Sequence, residues 1–184
     1  MKKYKIIQLP SISALLRVDD NTFIPYNMSD PDYIEYAAWT VDGNTPDIST
    51  SLSDQMTLAL RKTDLDTNSI YYEFIGNRAT DYSMADEDAL AYKNAGFSGP
   101  VPESVLSWAA TNEVTPRQAA EAVLLIASQW RTAQEDIRRE RLFRKKQIRI
   151  ATSTQGIEDA LSSWKTFVIG IRQHLNALQL YKYS

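Results

Sequence analysis

The side chains able to do chemistry are few and scattered. There is one histidine, His174, and no cysteine. His174 lies in the middle of a helical arm beside Leu175, where an imidazole reads as the flank of a packed seam. Acid–base work would need a partner to orient it. No second histidine, no thiolate and no HExxH pair is present to complete a metal site. Carboxylates gather at Asp64/Asp66 and at Asp86/Glu87/Asp88. Such groups can hold a divalent ion or work as an acid–base pair. The spacing of a calcium loop is missing, and both groups fall where helices are expected to begin, so that they favour the helix dipole. The six glycines are scattered and match no phosphate loop. No GxSxG elbow occurs. The reading is a protein that is not an enzyme, with no metal and no cofactor.

One run of charge could bind rather than react. From Arg138 to Arg149 there are seven cations and one acid. Such a stripe binds nucleic-acid phosphates by counterion release. Its charges, however, occupy successive helical angles and surround the helix. The rest of the chain is acidic, with 8 Lys/Arg against 16 Asp/Glu in residues 1–112 and 12 against 7 in residues 113–184. Nucleic acid is therefore not favoured as a partner. An acidic head and a basic tail can instead assemble head to tail, or on an oppositely charged neighbour.

The element that positions most of these groups runs from Thr115 to Tyr181. Ile157, Leu161, Trp164, Val168, Ile171, Leu175 and Leu178 follow at intervals of four, three, four, three, four and three. That is a heptad stripe, pressed along a partner helix. The partner is the first arm, opened by Thr115, Pro116 and Gln118 as N-cap, N1 and capping-box residue. Its face runs Ala120, Val123, Ala127, Trp130, Gln134, Ile137, Arg141, Arg144, Ile148. A break near residues 152–155 turns the two arms into an antiparallel hairpin. Trp130 and Trp164 are expected to meet across it. Arg141 and Arg144 fall on the seam, and a buried arginine needs an acid. Either the seam opens to solvent there, or acids of a neighbouring subunit face it, which points to a homo-oligomer.

Ahead of the hairpin, residues 4–8, 13–18 and 23–26 alternate as short strands, with Asp19–Thr22 as a turn. Ser29 or Asp30 caps a helix with Pro31 near N1. Its apolar face is Tyr33, Ile34, Ala37, Ala38 and Val41, and Gly43 ends it. The expected fold is mainly α with a small N-terminal β-hairpin (α+β) and the long C-terminal antiparallel helical hairpin. The expected division is 1–47 (β-hairpin plus helix), 48–80 (linker and short helices) and 81–184 (helical domain with the long hairpin), with the linker at 44–53 as the natural boundary. The N-terminus lacks the uninterrupted apolar core of a signal peptide. No stretch reaches the roughly 18 uncharged apolar residues of a membrane span.

Two segments carry a resemblance. Residues 32–46, Asp-Tyr-Ile-Glu-Tyr-Ala-Ala-Trp-Thr-Val-Asp-Gly-Asn-Thr-Pro, resemble a segment common in small proteins encoded beside bacteriophage tail-fibre genes, and Phe23–Tyr33 is similar to the run that often accompanies it. Residues 92–109, which contain Gly96-Phe97-Ser98-Gly99-Pro100-Val101-Pro102, with Ala119-Ala120 and Trp130–Gln134, are similar to a helical module at the end of tail-fibre-type proteins. Residues 48–80 fit neither, and no catalytic residues come with the family. Read as residues alone, both motifs are helix stops and turns, with Phe97, Tyr33 and Tyr36 as possible contacts. The resemblance implies a non-enzymatic tail structural protein, an adaptor or attachment subunit for tail fibres. It would be assembled in the host cytoplasm into the virion tail, with other tail or fibre proteins as partners. The alternative is a tail-fibre assembly chaperone, and behind both stands a nucleic-acid-binding helical protein. The expected interaction residues are Trp130, Ile137, Arg141, Arg144, Trp164, Val168, Ile171, Leu175 and Leu178.

Overall fold

The alternation of apolar residues along the first strands puts one set of side chains on each face of a small sheet. In the computed structural model, which describes residues 3–177, strands β1 (Tyr4–Gln8), β2 (Ser13–Arg17), β3 (Thr22–Ile24) and β4 (Asp47–Ser49) form a sheet of order β3-β2-β1-β4. β1 and β2 are antiparallel with Ile6 opposite Leu15, and β4 joins β1 in parallel with Ile48 opposite Ile6. The remaining elements are helices: α1 (Pro31–Val41), α2 (Leu52–Phe74), α3 (Ala79–Asn94), α4 (Glu103–Thr111), α5 (Pro116–Ile150) and α6 (Thr154–Ala177). The protein is mainly α with a small β part, as expected.

The chain forms two compact units. The first comprises residues 1–65 and 141–166, the second 66–140 and 167–184. The boundary therefore falls inside α2, α5 and α6, not at the linker expected near residues 44–53. That segment is β4 followed by the start of α2, where Ser51 accepts from Asp54 N–H at 3.2 Å as a cap. The expected short helices of 48–80 are one 23-residue helix followed by a 3₁₀ turn at Gly76–Arg78. Its interior polar positions Thr63 and Thr67 are buried, which hides the helical period from a hydrophobicity reading.

In the first unit, one sheet face presents Ile7, Leu9 and Leu16 to Leu58, Ala59, Ile148, Ile157, Ala160 and Leu161. Ile148 and Ile157 flank the three-residue break between α5 and α6, so both helices enter one core as the chain reverses. Gln55 is buried and satisfied: it donates to Gln8 O at 2.9 Å and accepts from Thr154 Oγ1 at 2.7 Å. The other sheet face, Tyr4, Leu15 and Ile24, packs against Tyr33, Tyr36 and Trp39 of α1. This corrects the expected face of α1. The sheet takes the large aromatics, while Ile34 and Val41 stay 54% and 86% exposed. Arg17 of β2 fixes the helix start, donating to Asp32 in its first turn at 2.6 Å and to Asp20 at 2.8 Å. Donating to Asp20 and Asp32 holds the Arg17 guanidinium above its ordinary pKa, and accepting from Arg17 holds Asp20 well below the carboxylate range.

In the second unit, Ala89, Tyr92, Val105, Ala109, Ala119, Ala120 and Val123 bring α3, α4 and the start of α5 together. The capping box of α5 forms as read, with Gln118 Oε1 accepting from Thr115 N–H at 3.0 Å.

Candidate interaction surfaces

The heptad stripe lies inside the chain. Trp164 and Leu175 are 1% and 0% exposed, and Ile157, Leu161, Val168 and Ile171 are buried with them. Trp130 and Ile137 are buried too, and Leu178 lies outside the described residues. A seam closed within one chain is not open to a second molecule, so these residues act as core rather than as a docking face. Trp130 meets Tyr71 of α2 edge-on, with ring centroids 6.0 Å apart, a partner the sequence reading does not name.

One seam cation, Arg141, finds an acid in the same chain, which it shares with Lys145. Asp64 accepts from Lys145 at 2.7 Å and stands 3.4 Å from Arg141 Nε. Arg144 donates to Gln147 at 2.8 Å and lies over the ring of Phe143. Asp64 thus supplies from the same chain an acid for Arg141, although the buried Arg141 Nε itself makes no hydrogen bond. Both acidic groups also lie within helices rather than at helix starts: Asp64 and Asp66 in α2, Asp86 to Asp88 in α3. Asp86 pairs with Arg131, and Asp88 accepts from Ser104 at 2.6 Å. Among the described residues no three His, Asp or Glu side chains converge as a metal site, and no helix is long and apolar enough to cross a membrane. His174 is exposed.

The two motifs behind the resemblance are helix stops of defined geometry. After α1, Gly43 (φ +88°) donates to Thr40 O at 3.0 Å, and the Asn44 side chain donates to Trp39 O at 2.9 Å. After α3, Gly96 (φ +70°) donates to Lys93 O and Phe97 to Tyr92 O, a Schellman ending. The Phe97 ring then packs on Tyr92 at 5.6 Å, with Arg117 above it at 4.9 Å. Phe97 and Tyr33 are thereby partly covered by their own chain.

Open surfaces remain among the described residues, two of which bear on binding. In the first unit, Ile34, Ala38 and Val41 form an exposed apolar ridge on α1 at intervals of four and three. In the second, an open groove of about 590 Å³ is lined mainly by α2, α3 and α5. Tyr71 and Tyr72 come from the last turn of α2, Ile75 follows it, and Gly76 (φ +58°) turns the chain at the rim. From α3 come Ala79, Tyr82, Ser83 and Asp86, and from α5 Ala127, Trp130, Arg131 and Gln134, each set at intervals of three, one and three. That spacing marks one helix face and was legible in the sequence; what was missing is which faces meet. No protein-family model, curated protein sequence or solved structure matches the chain.

Proposed function

We propose that this chain is a non-enzymatic structural protein of a bacteriophage tail, an adaptor or attachment subunit for tail fibres that works by binding alone. The observation that carries the reading is the pair of segments resembling tail-fibre-associated proteins, both of which end a helix on a glycine at positive φ. Gly43 and Asn44 stop α1 just beyond its exposed ridge of Ile34, Ala38 and Val41. That ridge replaces the heptad stripe as the contact surface of the proposal, because the stripe is core. Exposed apolar side chains in a row gain about 25 cal/mol per Å² when a partner covers them. Other tail or fibre proteins are the partners, and the virion tail is the place of action. Self-association has less support than the seam arginines alone would give it, since Asp64 of the same chain already faces Arg141. Mass spectrometry of purified virions tests the reading. Stoichiometric copies of the chain support a tail component, and absence from the particle with retention on free fibres supports the assembly-chaperone alternative. Absence from both overturns the proposal.

A further inference from the structure

The groove of the second unit combines aromatic rings with polar groups that have hydrogen-bonding capacity left over. Tyr71 and Trp130 meet edge-on in its wall, and Tyr72 stands 75% exposed. Arg131 gives one N–H to a single oxygen of Asp86. Its other N–H groups, the second Asp86 oxygen and the Gln134 carboxamide have no partner among the described residues. The lining thus offers planar donors and acceptors around an apolar patch, and its two charges cancel.

That balance selects a ligand. A phosphate or another anion needs a surplus of positive charge, which the groove lacks. A purely apolar helix face would bury the open Arg131, Asp86 and Gln134 groups unmatched, at roughly 1–3 kcal/mol each. A neutral pyranose fits both halves. Its axial C–H groups form an apolar face for an aromatic ring, and its neighbouring hydroxyls each donate and accept, as a carboxylate, guanidinium and carboxamide require. The volume lies within the range of roughly 300–1,000 Å³ usual for small-ligand sites. We propose that this groove is a saccharide-binding site, in which a neutral pyranose stacks on the exposed Tyr72 ring, backed by Tyr71 and the buried Trp130, and its hydroxyls bridge Arg131, Asp86 and Gln134.

Saturation-transfer NMR on the full chain tests this, with the methyl glycosides of glucose, galactose, mannose and N-acetylglucosamine as probes. The expected result is transfer to the ring C–H protons of at least one glycoside. Tyr72→Ala and Gln134→Ala, both at exposed positions and expected to keep the circular dichroism of the parent, should each weaken that binding about tenfold. No transfer to any of the four glycosides from folded protein overturns the assignment. So does transfer that both variants leave unchanged, or a proline-rich aromatic peptide that binds the groove while no glycoside competes. None of these outcomes depends on whether the chain is found in virions.

Discussion

Asp64 and Lys145 lie 81 residues apart in the chain and 2.7 Å apart in the fold, with Arg141 one helical turn before the lysine. A single carboxylate on α2 thereby answers two cations of the α5 charge run. Lys145 is only 13% exposed at its side chain, while Asp64 is 42% exposed, so solvent screens part of the attraction. Asp64→Asn keeps the shape and removes the charge. It should lower stability by about 1 kcal/mol. A double-mutant cycle with Lys145→Met, read from urea unfolding, should return a coupling of a few tenths to 1 kcal/mol. A coupling of zero would make the pair ornamental.

The closed seam predicts how stability depends on concentration. Leu175 is fully buried on α6, so Leu175→Ala removes packed methyl groups at a cost of about 2–5 kcal/mol. Because the stripe closes within one chain, the urea midpoints of parent and variant should not move with protein concentration. A midpoint that climbs with concentration would mean that the stripe pairs between chains.

What the sequence told and what it withheld divides along the distance of the cause. The heptad stripe of α6, the Asp30–Pro31 start of α1, the Thr115–Gln118 box and the glycine stops at Gly43 and Gly96 are all local, and each was readable. β4 is only three residues long and is a strand because it pairs with β1, more than forty residues earlier. α2 carries Thr63 and Thr67 inward, so its polarity disguises its length. On α1 two faces competed: Ile34, Ala38 and Val41 follow helical spacing as well as Tyr33 and Tyr36 do. The sheet settled the matter through the greater area of the aromatic rings. The groove of the second unit had its spacing written on two helices, yet nothing local says that those faces converge.

Glu113 ends α4 in a conformation that suits another residue. It has φ +54° while Val114 N–H donates to Ala109 O at 3.0 Å, the position after a helix where glycine is preferred. A side chain in the left-handed region costs roughly 1–2 kcal/mol, and Glu113 is exposed, so little packing is lost on its removal. Glu113→Gly should therefore raise the melting temperature by about 2–4 °C. Glu113→Val, branched at Cβ, should lower it. A drop with glycine would show that the glutamate side chain does something the backbone geometry does not reveal.

Trp39 carries a buried indole N–H with no acceptor. Its ring nevertheless packs against Tyr4 at 4.9 Å and Tyr36 at 6.2 Å, so the residue combines useful area with an unmet donor. Trp39→Phe keeps much of the area and deletes the donor, which relieves roughly 1–3 kcal/mol of desolvation. The two effects should nearly cancel, leaving stability within about 1 kcal/mol of the parent, whereas Trp39→Ala should cost about 3–5 kcal/mol. Equal losses in both variants would refute the unmet-donor account.

Only strong acid should break the Lys5–Asp54 link. Burial works to raise the Asp54 carboxyl, but the hydrogen bonds from Lys5 at 2.8 Å and Ser49 at 2.6 Å outweigh it and hold the group below its ordinary value. A carboxylate whose folded pKa is depressed adds stability that is fully present above the unfolded value of about 3.9 and is lost as pH falls through the folded value. Urea unfolding of the parent between neutral and strongly acidic pH should show that loss on the acid side of the unfolded value. Asp54→Asn has no proton to take up there, so its stability should start lower at neutral pH and fall less steeply in acid. If the two curves stay parallel down to the acid limit, the link between β1 and α2 contributes nothing that depends on charge.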